Sequence, residues 1–305
     1  MNIRRHSLKA FSLFALIALT PFSVLAQNEP VTSETKMVAP KWETLKKAYD
    51  YDSKAVLEMK TIAMENPLAY ARHLEFKGED GEKVTGIFIR PTKEGVYPVI
   101  VMLHGWTSKK EDMALFVGPA LLEKGFAFLS LDAPMHGERK PEKAPAFDPG
   151  LWAKIHRNGI KDYRSAMGWL LKRKDVDSNR VGLLGYSMGA MMGSILGAVD
   201  DRIKCSALCV GGDIVVPNQE KLPVALRANS FEVAPSVYIG HIAPRPVLLL
   251  NGKQDATVTK LASDLLYSAA KMPKEQKLYD SGHMLPKEAI QDAAQWLSDK
   301  LKKSE

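Results

Sequence analysis

The chain has 305 residues, 46% of them hydrophobic, and a formal net charge of +7. That length and apolar content exclude a disordered protein and suffice for a sizeable core, in one large domain or two small ones. The charge is a mild basic excess carried by scattered lysines and by helical faces such as KWETLKKAYD and DKLKKSE. Without interleaved aromatic residues it reads as solvated surface and speaks against a nucleic-acid groove.

At the N-terminus Arg4, Arg5 and Lys9 precede the apolar run AFSLFALIALT, and VLA at 24–26 offers small residues before Gln27. This is the three-part layout of a secretory signal, so residues 1–26 are expected to be removed and the mature protein to be exported, periplasmic or secreted. Cleavage takes three positive charges and no acidic group, which leaves +4. The apolar run is about half the roughly 20 residues of a membrane span, and Pro21 interrupts it, so no stable membrane insertion is expected after cleavage. Only Cys205 and Cys209 are present, in the strand-like IKCSALCV. Four residues of strand cover about 13 Å, too far for a disulfide, so both read as buried small apolar residues.

Residues 27–40 are polar and bounded by proline, as in a flexible leader. From Lys41 to about Ala71 the pattern reads as helical, with Trp42, Leu45, Ala48 and Tyr49 on one face packing against the main domain. HLEFKGEDGEKVTGIFIRP follows, two alternating runs about an Asp-Gly turn, which predict a β-hairpin. After Pro98 the pattern changes. PVIVMLHG is continuously apolar, as in a strand buried on both faces. The helix-like ALFVGPALLEKG and the strand-like FAFLSLDAP come next, then a helix over NGIKDYRSAMGWLLKRKDVDS.

RVGLLGYS, IKCSALCV, PVLLLNG and KEQKLYDSG are strand-like, and MGAMMGSILGAV, LASDLLYSAAKM and PKEAIQDAAQWLSDKLKK helix-like, in regular alternation. Such alternation predicts an α/β fold: a mostly parallel sheet covered by helices on both faces. Residues 137–157 and 211–244 break the rhythm, and loops this long in a compact domain usually carry function or motion.

The stretch VGLLGYSMGAMMG places Ser187 between a predicted strand and a predicted helix, with glycine two residues to either side. A sharp turn there pushes the serine oxygen out above the sheet edge, and Gly185 and Gly189 remove the side chains that would clash. A serine hydroxyl needs a base to take its proton and a carboxylate to orient that base. His283, in YDSGHMLP between the last strand and last helix, is the candidate base, in the expected chain order serine, acid, histidine. Asp255, in PVLLLNGKQDATV, is favoured as the acid over Asp213, because its loop and that of His283 follow consecutive strands.

The oxyanion donors are expected to be the backbone N–H groups of Met188, opening the helix, and of Trp106, in LHGWTS after the first buried strand. His104 reads as structural, and Asp132, His136 and Arg139 of DAPMHGER as a supporting polar network. No HExxH, CxxC pair, P-loop or dinucleotide fingerprint occurs, so neither metal nor cofactor is expected.

HGW, DAPMHGER, GYSMG, NGKQDATV and SGH, in that order, resemble the α/β-hydrolase superfamily over about residues 72–303. The hairpin before HGW, the DAPMHGER segment and IAPRPVLLLNGKQD are similar to dienelactone-hydrolase-like esterases and to prolyl-oligopeptidase-like catalytic domains. Two departures stand out. Dienelactone hydrolases carry cysteine where this chain has Ser187, and residues 27–71 are far too short for the β-propeller of the peptidases.

The resemblance implies an eight-stranded-type sheet with an N-terminal hairpin, a catalytic domain over 72–305 behind a leader and helical extension at 27–71, and a small-molecule ester as substrate. The expected reaction is ester cleavage through an acyl-enzyme. One alternative is an exopeptidase or amidase, with Glu220 or Glu232 binding a charged terminus. The other is a non-catalytic binding protein on the same fold. Oligomeric state is left open by the sequence.

Overall fold

The computed structural model describes residues 40–66, 69–143, 145, 149–213 and 231–302. The expected export signal, the leader up to residue 39, and Glu220 lie outside them. Among the described residues nine strands form one sheet: β1 (Lys60–Met64), β2 (Tyr70–Lys77), β3 (Lys83–Arg90), β4 (Tyr97–Leu103), β5 (Ala127–Leu131), β6 (Val176–Tyr186), β7 (Cys205–Cys209), β8 (Val247–Gly252) and β9 (Lys274–Tyr279). Their spatial order is β1-β2-β3-β5-β4-β6-β7-β8-β9. The pairings β1–β2, β2–β3 and β3–β5 are antiparallel, and every pairing from β5 through β4 to β9 is parallel.

The helices are α1 (Trp42–Lys47), α2 (Lys110–Phe116), α3 (Gly118–Glu123), α4 (Pro149–Leu170), α5 (Met188–Val199), α6 (Pro235–Ile239), α7 (Lys260–Ala269) and α8 (Lys287–Lys300). They divide between the two faces of the sheet, and the alternation along β4 shows how. Val99, Val101 and Leu103 face a core shared with α4, α5 and α6, whereas Ile100 and Met102 face a second core shared with α2, α3 and α8. Burying such a side chain contributes about 1.5–3 kcal/mol, which is why the central strands are apolar without a polar side. From β4 the chain moves to β5 on one side, then crosses to β6 on the other. The crevice at this switch point, beyond the carboxyl ends of the strands, is where α/β sheets place their sites.

The hairpin β2–β3 and the strands from β4 to β9 fall where the sequence predicts them, save that β6 starts at Val176, inside the stretch expected to be helical up to Ser178; three further differences concern the other elements. The segment 41–71 is not one helix: α1 has six residues, and Lys60–Met64 is an edge strand that makes the sheet nine-stranded. Every residue of β1 is exposed, so it lacks the alternation that would mark a strand. Residues 137–157 are not all loop, since a 3₁₀ turn spans Gly137–Arg139 and α4 begins at Pro149. The helix expected over ALFVGPALLEKG is interrupted between α2 and α3. Pro119 sits in the first turn of α3, where its missing N–H costs nothing but its ring bars an uninterrupted helix.

The N-terminal segment is built into the domain. Tyr49 is fully buried, and its hydroxyl donates to the Glu232 carbonyl at 2.5 Å. Trp42 stacks on His241 with ring centroids 3.8 Å apart. The Tyr49 carbonyl accepts from Arg164 of α4 at 2.6 Å. Replacing Tyr49 by alanine should therefore lower stability by about 3–5 kcal/mol, the usual loss for a large buried ring. A single cooperative urea transition displaced by that amount is expected. A separate early transition with the main one unmoved would make the extension an appendage.

Candidate active site

β6 ends at Tyr186 and α5 begins at Met188, so one residue makes the turn between them. That residue, Ser187, has φ +56°, a left-handed conformation that costs a side-chain-bearing residue about 1–3 kcal/mol. Backbone crowding enforces it. A Cβ on Gly185 would lie 2.2 Å from the Gly189 carbonyl oxygen, and a Cβ on Gly189 would lie 2.1 Å from that of Leu103. The Ser187 N–H donates to the Cys209 carbonyl at 2.9 Å, anchoring the turn to β7.

Three of the residues expected to act together converge. Ser187 Oγ lies 2.8 Å from His283 Nε2, and His283 Nδ1 lies 2.8 Å from Asp255 Oδ2. The Asp255 side chain is 1% exposed and that of His283 25%. Asp255 Oδ1 accepts the N–H groups of Thr257 at 2.8 Å and Val258 at 2.9 Å, which leaves Oδ2 for the imidazole. A carboxylate can only accept here, so Nδ1 carries the proton and Nε2 is free to take one from Ser187. Asp213 is engaged elsewhere, accepting the Ser236 hydroxyl at 2.6 Å and its N–H at 3.2 Å near the start of α6.

Met188 opens α5, so its N–H is one of the donors that a helix start leaves without an internal partner. Trp106 lies in the turn closed by Ser108 N–H to the Gly105 carbonyl at 3.2 Å, and the β-branched Thr107 beside it has φ +66°. His104 braces this turn. Its Nε2 must accept the Ala133 N–H at 3.0 Å, so Nδ1 bears the proton and donates to the Gly105 carbonyl at 2.8 Å. Holding that carbonyl fixes the peptide plane that ends in the Trp106 N–H. Burial lowers the His104 pKa to about 4, so it braces the turn as a neutral ring.

Asp132, His136 and Arg139 form supporting structure behind the site. Asp132 accepts Lys110 Nζ at 2.7 Å, the Lys110 N–H at 3.1 Å and the Thr85 hydroxyl at 2.8 Å. Lys110 is fully buried, and Glu138 also meets its Nζ at 2.7 Å. Burial alone would lower the lysine's pKa, but Asp132, Glu111 and Glu138 outweigh it and hold the ammonium charged. Arg139 joins Asp162 of α4 at 2.7 Å and the Asp132 carbonyl at 3.1 Å.

Lys110, Thr85 and Asp162 escape a sequence reading, since no local pattern marks their partners. His73, Glu75 and Glu138 bring ligand atoms within 4.8 Å of one another. That group already meets lysines, Glu138 at Lys110 and Glu75 at Lys60 and Lys83, so a cation would face competing charge. Cys205 and Cys209 are buried and unpaired, and burial pushes both thiols up to about 12.

A cluster of rings adjoins the Trp106 turn. The Trp106 indole, 39% exposed, stands edge-on to His136 at 4.9 Å and tilts against Trp152 at 5.5 Å. Trp152 in turn leans on His156 at 4.3 Å. The last two lie on the part of α4 that the sequence pattern assigns to a loop. His156 is fully buried, with burial lowering its pKa to about 4, and its Nδ1 donates to the Trp152 carbonyl at 3.0 Å. The cluster is thus uncharged.

Residues 98–222 match the family described as alpha/beta hydrolase fold, and residues 21–149 the family described as Acetyl xylan esterase (AXE1). The Bacillus subtilis (strain 168) protein named "Putative esterase YitV" is 26% identical over 253 residues, covering 71% of this chain and 96% of its own. Among solved structures, Acetyl Xylan Esterase 1 from Thermoanaerobacterium sp. JW/SL YS485 superposes with TM-score 0.70 at 18% identity, over 85% of this chain and 93% of its own. An acetyl xylan esterase from Paenibacillus sp. R4 gives 0.69 at 18%, over 85% and 92%. At that identity the two structures speak for the fold.

The low pKa of His156 has a consequence for stability against pH. An unfolded histidine takes a proton near pH 6.5, whereas the folded one does so only near 4, so acid favours the unfolded state across that interval. The parent should lose stability as pH falls from about 6.5 to 4. His156→Phe should lose less, by up to about 1.4 kcal/mol per pH unit. Urea titrations at several pH values measure the difference, and equal slopes would mean that His156 titrates freely in the fold.

Proposed function

We propose that the chain, in keeping with its matches to the alpha/beta hydrolase fold and acetyl xylan esterase families, is a serine carboxylesterase of the α/β-hydrolase superfamily working through Ser187, His283 and Asp255. What carries the reading is the unbroken relay of two 2.8 Å contacts from Ser187 Oγ through His283 to the buried Asp255. His283 Nε2 takes the hydroxyl proton as Oγ bonds to the acyl carbon, and the carbonyl π electrons move onto oxygen. The N–H groups of Trp106 and Met188 hold that oxyanion, each such donor being worth about 2.7–4 kcal/mol in the transition state.

Collapse breaks the ester C–O bond, and His283 gives its proton to the departing alkoxide. In the second half His283 takes a proton from water, the hydroxide attacks the acyl-serine, and the carboxylic acid leaves as the proton returns to Oγ. Asp255 stays ionised throughout and stabilises the imidazolium that forms twice.

The alcohol part of the substrate is proposed to carry a saturated ring, as in an acylated sugar. The half-exposed Trp106 indole, backed by Trp152 and two neutral histidines, offers a flat apolar face beside the proposed oxyanion donor. The names of the two acetyl xylan esterases point the same way. The amidase alternative gains no support from Glu232, whose carboxylate is held by Arg157 at 2.5 and 2.9 Å. Export of the mature chain by a signal over 1–26 belongs to the same proposal, whereas a domain beginning at 72 would cut β2 and leave out β1 and α1, which are part of the same compact unit. Among the described residues no helix is long and apolar enough to cross a membrane.

Turnover of p-nitrophenyl acetate should fall by at least about 10⁴-fold in Ser187→Ala. An acetylated sugar should be cleaved with a higher kcat/KM than a straight-chain alkyl acetate. Full activity in Ser187→Ala would overturn the nucleophile, and preference for the alkyl ester would overturn the ring-bearing alcohol.

A further inference from the structure

Tyr186 stands immediately before Ser187 in the chain, at the end of β6. Its side chain turns away from the serine into the core that holds α2 and α8, and the residue is only 7% exposed. There its hydroxyl meets the loop that carries His283. The phenol donates to the His283 carbonyl at 2.9 Å and accepts the Leu285 N–H at 2.9 Å, so one oxygen bonds the backbone on both sides of Met284. The ring also stands edge-on to the imidazole, with centroids 6.3 Å apart and planes at 82°, and edge-on to Phe116 of α2.

We propose that Tyr186 is a positioning residue that sets the reach of His283 to Ser187, by tying the histidine's backbone to the strand from which the serine springs. This rests on the reading of Ser187 as nucleophile and His283 as base. The side chains that must meet arrive from opposite ends of long stretches of sequence, Ser187 from the central β6 and His283 from beyond the edge strand β9. The covalent path between them runs through β7, β8 and β9. The phenol replaces that path with a span of one side chain.

Both of the hydroxyl's bonds go to backbone, so the tether acts on the loop whatever its side chains do. Burial pushes the phenol's ionisation up, which keeps its proton available to the carbonyl through the working range of an esterase. The ring would pack as well without its oxygen, whereas the two backbone groups would lose their partner.

The experiment compares Tyr186→Phe with the parent and with Tyr163→Phe. Tyr163 is a matched control: it is buried and its hydroxyl bonds the backbone of β4 and β5, donating to Met102 at 2.6 Å and accepting from Leu131 at 3.0 Å, away from the His283 loop. Three quantities are read on each protein: kcat and KM for p-nitrophenyl acetate, the second-order rate of labelling of Ser187 by an organophosphate, and the NMR signal of the His283 Nδ1 proton. Tyr186→Phe should lose about tenfold to a hundredfold in kcat and in labelling rate with KM within about twofold, the scale expected of a misplaced catalytic group. Its Nδ1 proton signal should shift or broaden. Tyr163→Phe should lose melting temperature and leave all three readings at the parent's values.

Rates and proton signal in Tyr186→Phe equal to the parent's would overturn the proposal, whatever happens to its melting temperature. Should that variant not fold, Tyr186→Met, which fills apolar space without a hydroxyl, is measured in the same three ways, and parent-like values in it overturn the proposal equally. A parent whose Ser187 is not labelled at all overturns the nucleophile and the tether together. A labelled parent with an equally labelled variant overturns the tether alone.

Discussion

Where α5 meets the end of β4 the two backbones are in contact, and no side chain fits between them: a Cβ on Gly189 would overlap the Leu103 carbonyl. That contact sets the geometry of everything above it. With α5 pressed down, the chain leaving β6 has one residue in which to reverse, and Ser187 makes that turn at φ +56°. The burial of α5 offsets the strain. Every residue of the helix except Met191 is buried between the sheet and the outer helices, so the local cost of about 1–3 kcal/mol is small against the apolar area withdrawn from water. The hydroxyl is left at the surface of the crevice, next to the free N–H groups of the helix start.

Charge around the site is sorted by depth. Against the Trp106 turn the rings are neutral, since burial holds His104 and His156 down to about 4 and lowers His136 in the same direction. Behind them Lys110 lies among Asp132, Glu111 and Glu138, and Arg139 against Asp162. One ammonium among three carboxylates leaves that cluster net negative. The pairs also stiffen the loops. Removing one partner would leave a buried charge uncompensated, at about 3–5 kcal/mol, so the start of α2 and the turn after β5 stay locked together at Asp132.

Much of this architecture was legible in the sequence because single local causes produce it. Strands β4 to β8 are apolar on both faces since helices cover both, and the glycines beside Ser187 stand where backbone contact forbids anything larger. The candidate residues Ser187, Asp255 and His283 could be singled out because each follows a recognisable strand. β1 was hidden because an exposed edge strand carries no burial pattern, only its ladder to β2. The early turns of α4 were hidden in a stretch rich in proline and charge, although Trp152 and His156 there form part of the ring cluster. Pairings such as Tyr186 with Leu285 or Lys110 with Asp132 have no local signature, since each depends on where the fold brings two distant segments.

The arrangement of tethers follows from which strand is least secure. β9 lies at the sheet edge, and none of its six residues is buried, whereas the last six residues of β6 all are. Local opening costs least at such an edge, and the loop beyond β9 carries His283. Its neighbour holds it first: Lys253 N–H donates to the Tyr279 carbonyl at 2.8 Å and Gln254 N–H to the Ser281 carbonyl at 3.0 Å. These bonds make the Asp255 and His283 loops one unit, which explains how a 2.8 Å contact between their side chains can persist at an edge. Relative to Ser187 that unit is held by the β7–β8 ladder and by Asn251 Nδ2, which donates to the Gly211 carbonyl at 2.9 Å, because the Ser187 N–H is itself bonded to the Cys209 carbonyl of β7. The bonds from Tyr186, at the end of β6, to the backbone of 283–285 add a direct tie to these.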